Sequence, residues 1–509
     1  MSSVIRGVVW GSRVLVLGLA GAPVAAQQTP TLTATIGGEL NWSNNINQSV
    51  SELAQSEFSV NVSPALGINY RSGRVQASGT AGLTAYHYFG GTQPDTVYPN
   101  VALTGSLEAI EHFLFVDASV DASPQFINPF APRSSGQVSD NTYSAYNYRV
   151  APYIKGAFLG EASYELRSDS AWSSSGSGRG NNSALSSSYQ WVVDGAVNRA
   201  PKPLGWGVQA QHTLLQQDVE PDYTNDNARL ILSYLVGEDF SVSARGGYEQ
   251  TQYGLLDTNN AIYGGGLSWR PTPRTNVDGY WERRYFGDGW QLTASHRMPF
   301  LYFNLGTSRD VTTTPDTLFT VPGGTNVFES LESLLTTRIP DASARAAAAR
   351  QIMLQQGLPP QLAVPVPIYS QNVSLQTRYD AAVTLSGQRN SLAFNVYYLR
   401  TEAITGTGVN LPPALVLFEN SVQRGAAITA SHSLTPLTSI NGSVLWQRTQ
   451  GIGSRSDDLS RQLTYRIQLS RQLGPKFNAY TALRYETFNS NVTNDYNEIA
   501  ALVGLTYAF

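Results

Sequence analysis

The chain contains no cysteine. Disulfides, thiolate chemistry and cysteine-held metal sites are therefore excluded. Charge is scarce as well. Asp, Glu, Lys and Arg make up 14% of the residues, against roughly 25% in ordinary soluble domains. The formal net charge is −4, so no basic surplus exists to neutralise phosphates, and nucleic acid is not expected as a partner. The five histidines, His87, His112, His212, His296 and His432, lie far apart with no pair at ligand spacing. No metal and no cofactor is expected from them. Beyond the N-terminal segment there is no apolar run of about twenty residues, so no spanning helix is expected. What the chain does have is aromatics, with 27 Tyr, 18 Phe and 9 Trp against 3 Met. Few charges, many aromatics and no long apolar run suit a chain that crosses a membrane as a closed barrel.

The N-terminus reads as a secretory leader. Arg6 and Arg13 precede the stretch "VLVLGLAGAPVAA", and Val24-Ala25-Ala26 places small residues before Gln27. Residues 1–26 are thus assigned to a cleaved signal peptide and 27–509 to a single β-barrel domain. Loss of the two arginines leaves a net charge of about −6.

Period-2 alternation is the main secondary-structure signal. In "EFSVNVSPALGINYRSG", Phe58, Val60, Val62, Leu66, Ile68 and Tyr70 share one face, while Ser59, Asn61, Ser63 and Asn69 share the other. "RQLTYRIQLSRQLG" repeats the pattern, with Leu463, Tyr465, Ile467 and Leu469 opposite Gln462, Thr464, Arg466 and Gln468. Such stretches exceed the five or six residues of a typical soluble strand, and match a tilted membrane strand with extensions beyond the interface.

The connections have a rhythm of their own. Short turns at Ser72-Gly73, Ala109-Ile110-Glu111, Leu159-Gly160, Pro201–Pro203, Gly237-Glu238, Pro271-Thr272-Pro273, Met298-Pro299, Gly387-Gln388-Arg389, Pro436 and Gly474-Pro475 recur along the chain. Between them lie longer polar loops near 44–54, 90–96, 123–142, 174–183, 219–225, 253–259, 311–370, 402–417, 450–457 and 489–494. Only Gly287-Asp288-Gly289 is short in the loop series. Short periplasmic turns alternating with long external loops predict an all-β fold, a transmembrane antiparallel β-barrel of about 22 strands. The longest loop carries a helical segment at 324–358, with Asp341 as an N-cap, an Ala/Arg-rich interior and Gly357 then Pro359-Pro360 as a stop. It is expected on the external side. From there it either folds inward as a constriction, docks a partner, or caps the neighbouring loops.

One face of each strand must meet lipid and the other enclosed water. An Arg or Lys facing lipid at mid-depth costs about 2–4 kcal/mol, so the polar faces are assigned to the lumen. The residues expected there are Glu165, Arg167, Arg245, Glu249, Asp278, Glu282, Arg284, Arg378, Asp380, Arg466, Arg484 and Glu486. Opposite signs two residues apart share a face and can pair with one another or across strands. Tyr86 and Tyr88, Tyr146 and Tyr148, Trp206, Trp281 and Tyr285, and Tyr397 and Tyr398 are expected to form interfacial aromatic girdles.

Catalysis finds no constellation. His432 and Ser433 are neighbours, but adjacent strand residues point to opposite faces and cannot form a dyad. "GGGLSWR" sits within a strand, where glycine relieves crowding and does not cradle phosphate. The chain is therefore expected not to be an enzyme. The first strand candidate, "TLTATIGGELNWS", begins within a few residues of the leader, which leaves no room for the globular plug of energy-coupled nutrient transporters.

The chain ends on "ALVGLTYAF". In a closed barrel the last strand pairs with the first, so this apolar stretch is no free edge. With Val503, Leu505, Tyr507 and Phe509 at alternate positions, it resembles the C-terminal insertion signal that barrel-assembly machinery reads in bacterial outer-membrane proteins.

The stretch "SEFSVNVSPALGINYRSGRVQASGTAGLTAYHYF" resembles the N-terminal hairpin of outer-membrane barrels associated with the exosortase (PEP-CTERM) sorting system. Ser63-Pro64, the turn Ser72-Gly73-Arg74, and Tyr86 with Tyr88 carry the likeness. The resemblance implies a Gram-negative outer-membrane location and genomic company in exopolysaccharide synthesis and export. It assigns no catalytic residues. The expected function is an outer-membrane channel or export component, in contact with outer-membrane lipid, the assembly machinery, and polysaccharide or periplasmic export proteins. A general diffusion porin and a structural barrel that scaffolds a partner are the alternatives.

Overall fold

The computed structural model describes residues 31–126, 128–133, 139, 141–158, 161–175, 187–218, 221–313, 326–358, 362–363, 365, 373–404 and 420–509. The leader assigned to 1–26 lies outside the described residues. The first strands are β1 (Thr31–Ser43), β2 (Glu57–Arg71), β3 (Val75–Tyr88), β4 (Thr96–Ile110), β5 (Leu114–Phe126), β6 (Thr142–Phe158) and β7 (Ala162–Ser175). Then come β8 (Ser187–Arg199), β9 (Leu204–Gln217), β10 (Tyr223–Val236), β11 (Phe240–Tyr253), β12 (Leu256–Thr272), β13 (Thr275–Arg284) and β14 (Gly287–Arg297). The rest are β15 (Leu301–Thr312), β16 (Ser374–Ser386), β17 (Asn390–Ala403), β18 (Ser421–Thr435), β19 (Thr438–Gly451), β20 (Leu459–Gly474), β21 (Phe477–Ser490) and β22 (Tyr496–Ala508).

Each strand pairs antiparallel with its neighbours in chain order, as a string of hairpins requires. β1 also pairs with β22, with Ile36 opposite Tyr507 and Trp42 opposite Ala501. The sheet is a closed barrel of 22 strands, with no edge left to aggregate. The terminal Phe509 takes part, its backbone N–H donating to the Ala34 carbonyl at 2.9 Å.

Alternation sets the two faces. Along β2 the residues paired with Trp42, Leu40 and Ile36 of β1 are Phe58, Val60 and Pro64, all on the outer wall. Outside, Leu66 is 61% exposed, Leu483 58% and Val503 54%. Inside, Asn41, Ser43 and Ser59 are buried. An apolar outer belt carried on all sides of a barrel is far larger than any patch a soluble monomer exposes. Strands of 10 to 17 residues tilted in a barrel rise through about 30 Å, the thickness of a bilayer core. The fold is that of a transmembrane β-barrel.

Short turns join β2–β3 and every second hairpin after it; the long connections lie at the opposite mouth. Two connections at the long-loop mouth are tight. Tyr285-Phe286 joins β13 to β14, and Gly254-Leu255 joins β11 to β12. The second corrects the long loop expected near 253–259. Gly254 takes φ +58°, a left-handed conformation that lets two residues close a hairpin.

The aromatic girdles also need correction. Tyr146, Tyr148, Trp206, Trp281 and Tyr398 lie on the outer wall, but Tyr86, Tyr88 and Tyr397 share register with inward residues. Tyr88 and Tyr397 are 3% and 4% exposed. Tyr285 sits in the turn beyond β13.

Two α-helices, α1 (Val327–Leu335) and α2 (Ala342–Gln356), and single 3-10 turns at Ser51–Leu53 and Gly453–Arg455 complete the described residues. Asn326 caps α1, its Oδ1 accepting from the N–H groups of Phe328 and Glu329. Asp341 Oδ1 accepts from the Ala344 N–H at 2.7 Å, at the head of α2. Gly357 ends α2 at φ +62°.

Candidate conduit: the lumen and the segments inside it

Strand parity alone decides which charged side chains share the enclosed face. The register puts all twelve expected residues, Glu165, Arg167, Arg245, Glu249, Asp278, Glu282, Arg284, Arg378, Asp380, Arg466, Arg484 and Glu486, on the inner wall. Their partners follow two patterns. Arg378 Nε bonds Asp380 Oδ1 at 2.8 Å, two residues along one strand. Elsewhere the pairs reach across strands. Arg284 bonds Glu249 at 2.7 Å, and Glu282 receives both Arg229 and Arg245 at 3.1 Å. Arg167 meets Asp117 at 2.6 Å, and Arg149 meets Asp169. Arg229, Glu498, Arg149, Asp169 and Asp117 were not among the expected residues. The same alternation would have found them, since Asn225, Asn227 and Arg229 already occupy every second position.

At the seam where β22 meets β1, Glu498 is fully buried. Arg484 Nη2 donates to both of its carboxylate oxygens at 3.0 and 3.1 Å, and Ser43 Oγ donates at 2.6 Å. Next to it, Glu486 accepts from Thr464 Oγ1 at 3.0 Å and from the Tyr496 hydroxyl. The charges are therefore satisfied within the wall, as burial demands.

The helical segment takes the inward course, one of those the sequence left open, and does not rest on the external side. The chain leaves β15 at the long-loop mouth, where Thr313 Oγ1 donates to Gln190 Oε1 of β8 at 2.6 Å. The helices then lie at the other mouth. Arg338 Nη2 donates to the carbonyl of Pro299, in the short β14–β15 turn, at 2.9 Å. Arg297, at the short-turn end of β14, donates to the Ser333 carbonyl at 3.2 Å. Ser431 of β18 donates to the Gln356 carbonyl at 2.6 Å. Val327, Leu331, Leu334, Leu335, Ala349 and Leu358 form an apolar cluster that includes Ala393 of β17 and packs on Tyr302 of β15. Five fully buried Val and Leu side chains are worth on the order of 10 kcal/mol before entropy is subtracted. Gly357 admits no other residue readily: besides its positive φ, a Cβ there would come 2.5 Å from Asn441 Nδ2. On the return path, Asn395 of β17 clasps Ala363, donating to its carbonyl at 2.6 Å and accepting from its N–H at 3.2 Å. Residues 326–358 thus occupy the lumen near the short-turn mouth, against β14 to β20.

Two further contacts narrow the long-loop mouth. Residues 128–133, between β5 and β6, reach the inner face of β19 to β21. Arg133 donates to Gln447 Oε1 at 3.0 Å and Thr449 Oγ1 at 2.6 Å, and Phe130 is 1% exposed. Burial lowers the Arg133 pKa from its ordinary value. Val373 packs with Leu215, Tyr223 and Tyr253, so the β16 side touches the β9–β11 side.

The inner wall of β3 to β5 stays open. Gln76, Ser78, Thr80 and Thr104 are exposed there and Ser119 is half-buried, beside a cavity of about 670 Å³ that also touches Asp117, Asp121, Arg149 and Arg167. A second cavity of about 350 Å³ is lined by Ser233, Ser241, Ser243, Arg245, Ser268 and Asp278 among others. Both walls are rich in hydroxyls and amides, and most of their charges are paired. Such a surface hydrogen-bonds neutral polar solutes without holding ions strongly. His432 faces outward, Nδ1 at 2.6 Å from Asn390 Oδ1, while Ser433 faces inward.

No family model and no curated protein matches the chain. Among solved structures it is similar to the siderophore receptor PirA from Acinetobacter baumannii, with a TM-score of 0.48 and 9% identity over 94% of this chain and 80% of that one. It is similar to the FrpB iron transporter from Neisseria meningitidis, with a TM-score of 0.48 and 8% identity over 94% and 81%. The outer membrane protein opdK from Pseudomonas aeruginosa gives a TM-score of 0.35 and 8% identity over 94% and 99%.

Proposed function

We propose that this barrel is a non-enzymatic channel of the Gram-negative outer membrane that passes an extended, neutral polysaccharide, with residues 326–358 as its internal gate. The carrying observation is the combination of an open hydroxyl- and amide-lined wall on β3 to β5 with a helical segment packed in the lumen near the short-turn mouth. Ionic cargo would meet a wall whose charges already hold one another. A sugar chain needs only donors and acceptors, which that wall supplies. In this reading a leader directs export, the assembly machinery reads Val503, Leu505, Tyr507 and Phe509, and the genomic company is an exosortase (PEP-CTERM) and exopolysaccharide system. The resemblance of the first hairpin supports that company.

Planar-bilayer recording tests the proposal. Wild type is expected to show low conductance. A variant with 326–358 replaced by a short Gly/Ser linker is expected to show a several-fold larger, steady conductance that neutral oligosaccharides block more than anionic ones of equal size. A large steady wild-type conductance, unchanged by the deletion, would instead mark a general diffusion porin. No conductance in either would mark a scaffold.

A further inference from the structure

We propose that the outer wall of β18 to β20, just beyond the aromatic girdle on the long-loop side, binds the phosphate-bearing headgroup of an anionic lipid. The site concerns the wall that meets lipid, so it goes beyond the channel reading and stands or falls separately from it.

Arg424 of β18 lies directly opposite Arg448 of β19, and Arg448 directly opposite Arg461 of β20. All three share the outer parity of Trp446 and Tyr465. Side chains directly opposite on neighbouring strands stand about 5 Å apart at Cβ, where like charges repel. Three guanidinium groups in one row therefore need a counter-charge. Among the described residues none of the three makes an ion pair. Arg448 Nη2 reaches only the amide oxygen of Gln450, at 3.0 Å, and Arg424 stacks over the Tyr398 ring at 5.4 Å. The adjoining loop carries two carboxylates: Asp458 is held by Arg455, and Asp457 makes no ion pair with the row among the described residues.

Depth favours a headgroup as the missing partner. Arg448 stands two residues beyond Trp446, about 7 Å along the strand and, with the strand tilt, about 5 Å further from the bilayer centre. That step carries it from the aromatic interface into the headgroup layer. The row continues toward β15 as a groove of about 670 Å³ on the outer wall, lined by Arg309, Thr377, Tyr379, Tyr398, Arg400 and Glu402. Arg400 is matched there by Glu402 at 2.7 Å, while Arg309, at the far end of the groove, reaches only the Asp288 carbonyl, so the groove adds one more unmatched cation to the three at β18 to β20. The opposite sector has a different composition at this height. Asp226 pairs with His212 at 2.6 Å, and Asp257 lies across from Gln252. Arginines that merely snorkel would have no reason to gather in one sector. Guanidinium groups side by side are suited to bidentate capture of phosphate oxygens.

The test uses the full mature barrel in detergent, titrated with a bis-phosphorylated glucosamine glycolipid (lipid A), with the same lipid after dephosphorylation, and with inorganic phosphate. Bound lipid is counted by native mass spectrometry. Wild type is expected to bind the phosphorylated lipid at least about tenfold tighter than its dephosphorylated form. Inorganic phosphate at matched concentration is expected not to displace it. The variant R424Q/R448Q/R461Q should lose that preference, while H212Q/D226N on the opposite sector keeps it. Equal binding of the two lipids by wild type overturns the proposal, and this comparison needs no variant to fold. Displacement by inorganic phosphate, or full retention of the preference in the triple variant, overturns it as well.

Discussion

Replacing Glu498 by alanine removes the acceptor at the point where the barrel closes. The Glu498 side chain is 0% exposed and that of Arg484 2%. The substitution takes two hydrogen bonds from Arg484 and one from Ser43. Breaking a buried pair by removing one partner costs about 3–5 kcal/mol. Glu486 stays nearby and offsets part of the loss, so the lower end, about 3 kcal/mol, is expected. The exposed pair Arg74–Glu111, with side chains 54% and 63% exposed, is the control. E111A should cost about 0–1 kcal/mol. Urea titration in phospholipid vesicles, read by tryptophan fluorescence and by heat-modifiable mobility, measures both. In the double replacement R484L/E498L both members of the pair go together and Glu486 keeps its hydrogen bonds from Thr464 and Tyr496, so the cost should fall short of the sum of the single changes. A loss below about 1 kcal/mol for E498A, or additivity in the cycle, would show that the seam is not a dry, coupled network.

The face assignment is open to a paired test: V503R puts a cation into lipid near mid-depth and should cost about 2–4 kcal/mol, while T506R, facing the lumen three residues away, should cost little. Equal costs would contradict the assigned parity. Deleting Phe509 should reduce the amount of barrel assembled in cells while leaving refolding of the purified chain in detergent nearly unchanged; parallel loss in both would make the terminal aromatic a stability element and not a signal. Tyr285, in the turn at the long-loop mouth, has its phenol pushed up to about 12 from the ordinary 10 chiefly by burial. Its neutral form is favoured in the folded state, so that contribution is complete below pH 10 and fades as pH rises from 10 toward 12. The urea midpoint of wild type should fall through that window more steeply than that of Y285F.

The wall of this barrel was legible because it is written locally. Side chains alternate with period two along a strand, so polarity at every second residue identifies both the strand and its faces. Glu249, Arg284 and Arg484 could be assigned inward from their neighbours alone. The terminal "ALVGLTYAF" could likewise be assigned to the closing pair. The misplaced aromatics came from grouping Tyr86, Tyr88 and Tyr397 by nearness to a strand end. Their parity with Thr84 and Asn395 points them inward.

Amino-acid order by itself determined the strand count and the two faces, since each depends on contacts between adjacent hairpins, and its apolar last strand called for a closing partner. It did not determine where residues 326–358 rest. Their helical character was visible in the cap at Asp341 and in the stop at Gly357, but a cap says nothing about depth. That depth depends on Arg338 meeting Pro299, Gln356 meeting Ser431 and Ala363 meeting Asn395. Ion-pair partners such as Arg229 with Glu282 were undetermined for the same reason, because they join strands three apart in the sheet. Only a closed wall brings such residues together, so the content of the lumen was settled by tertiary structure.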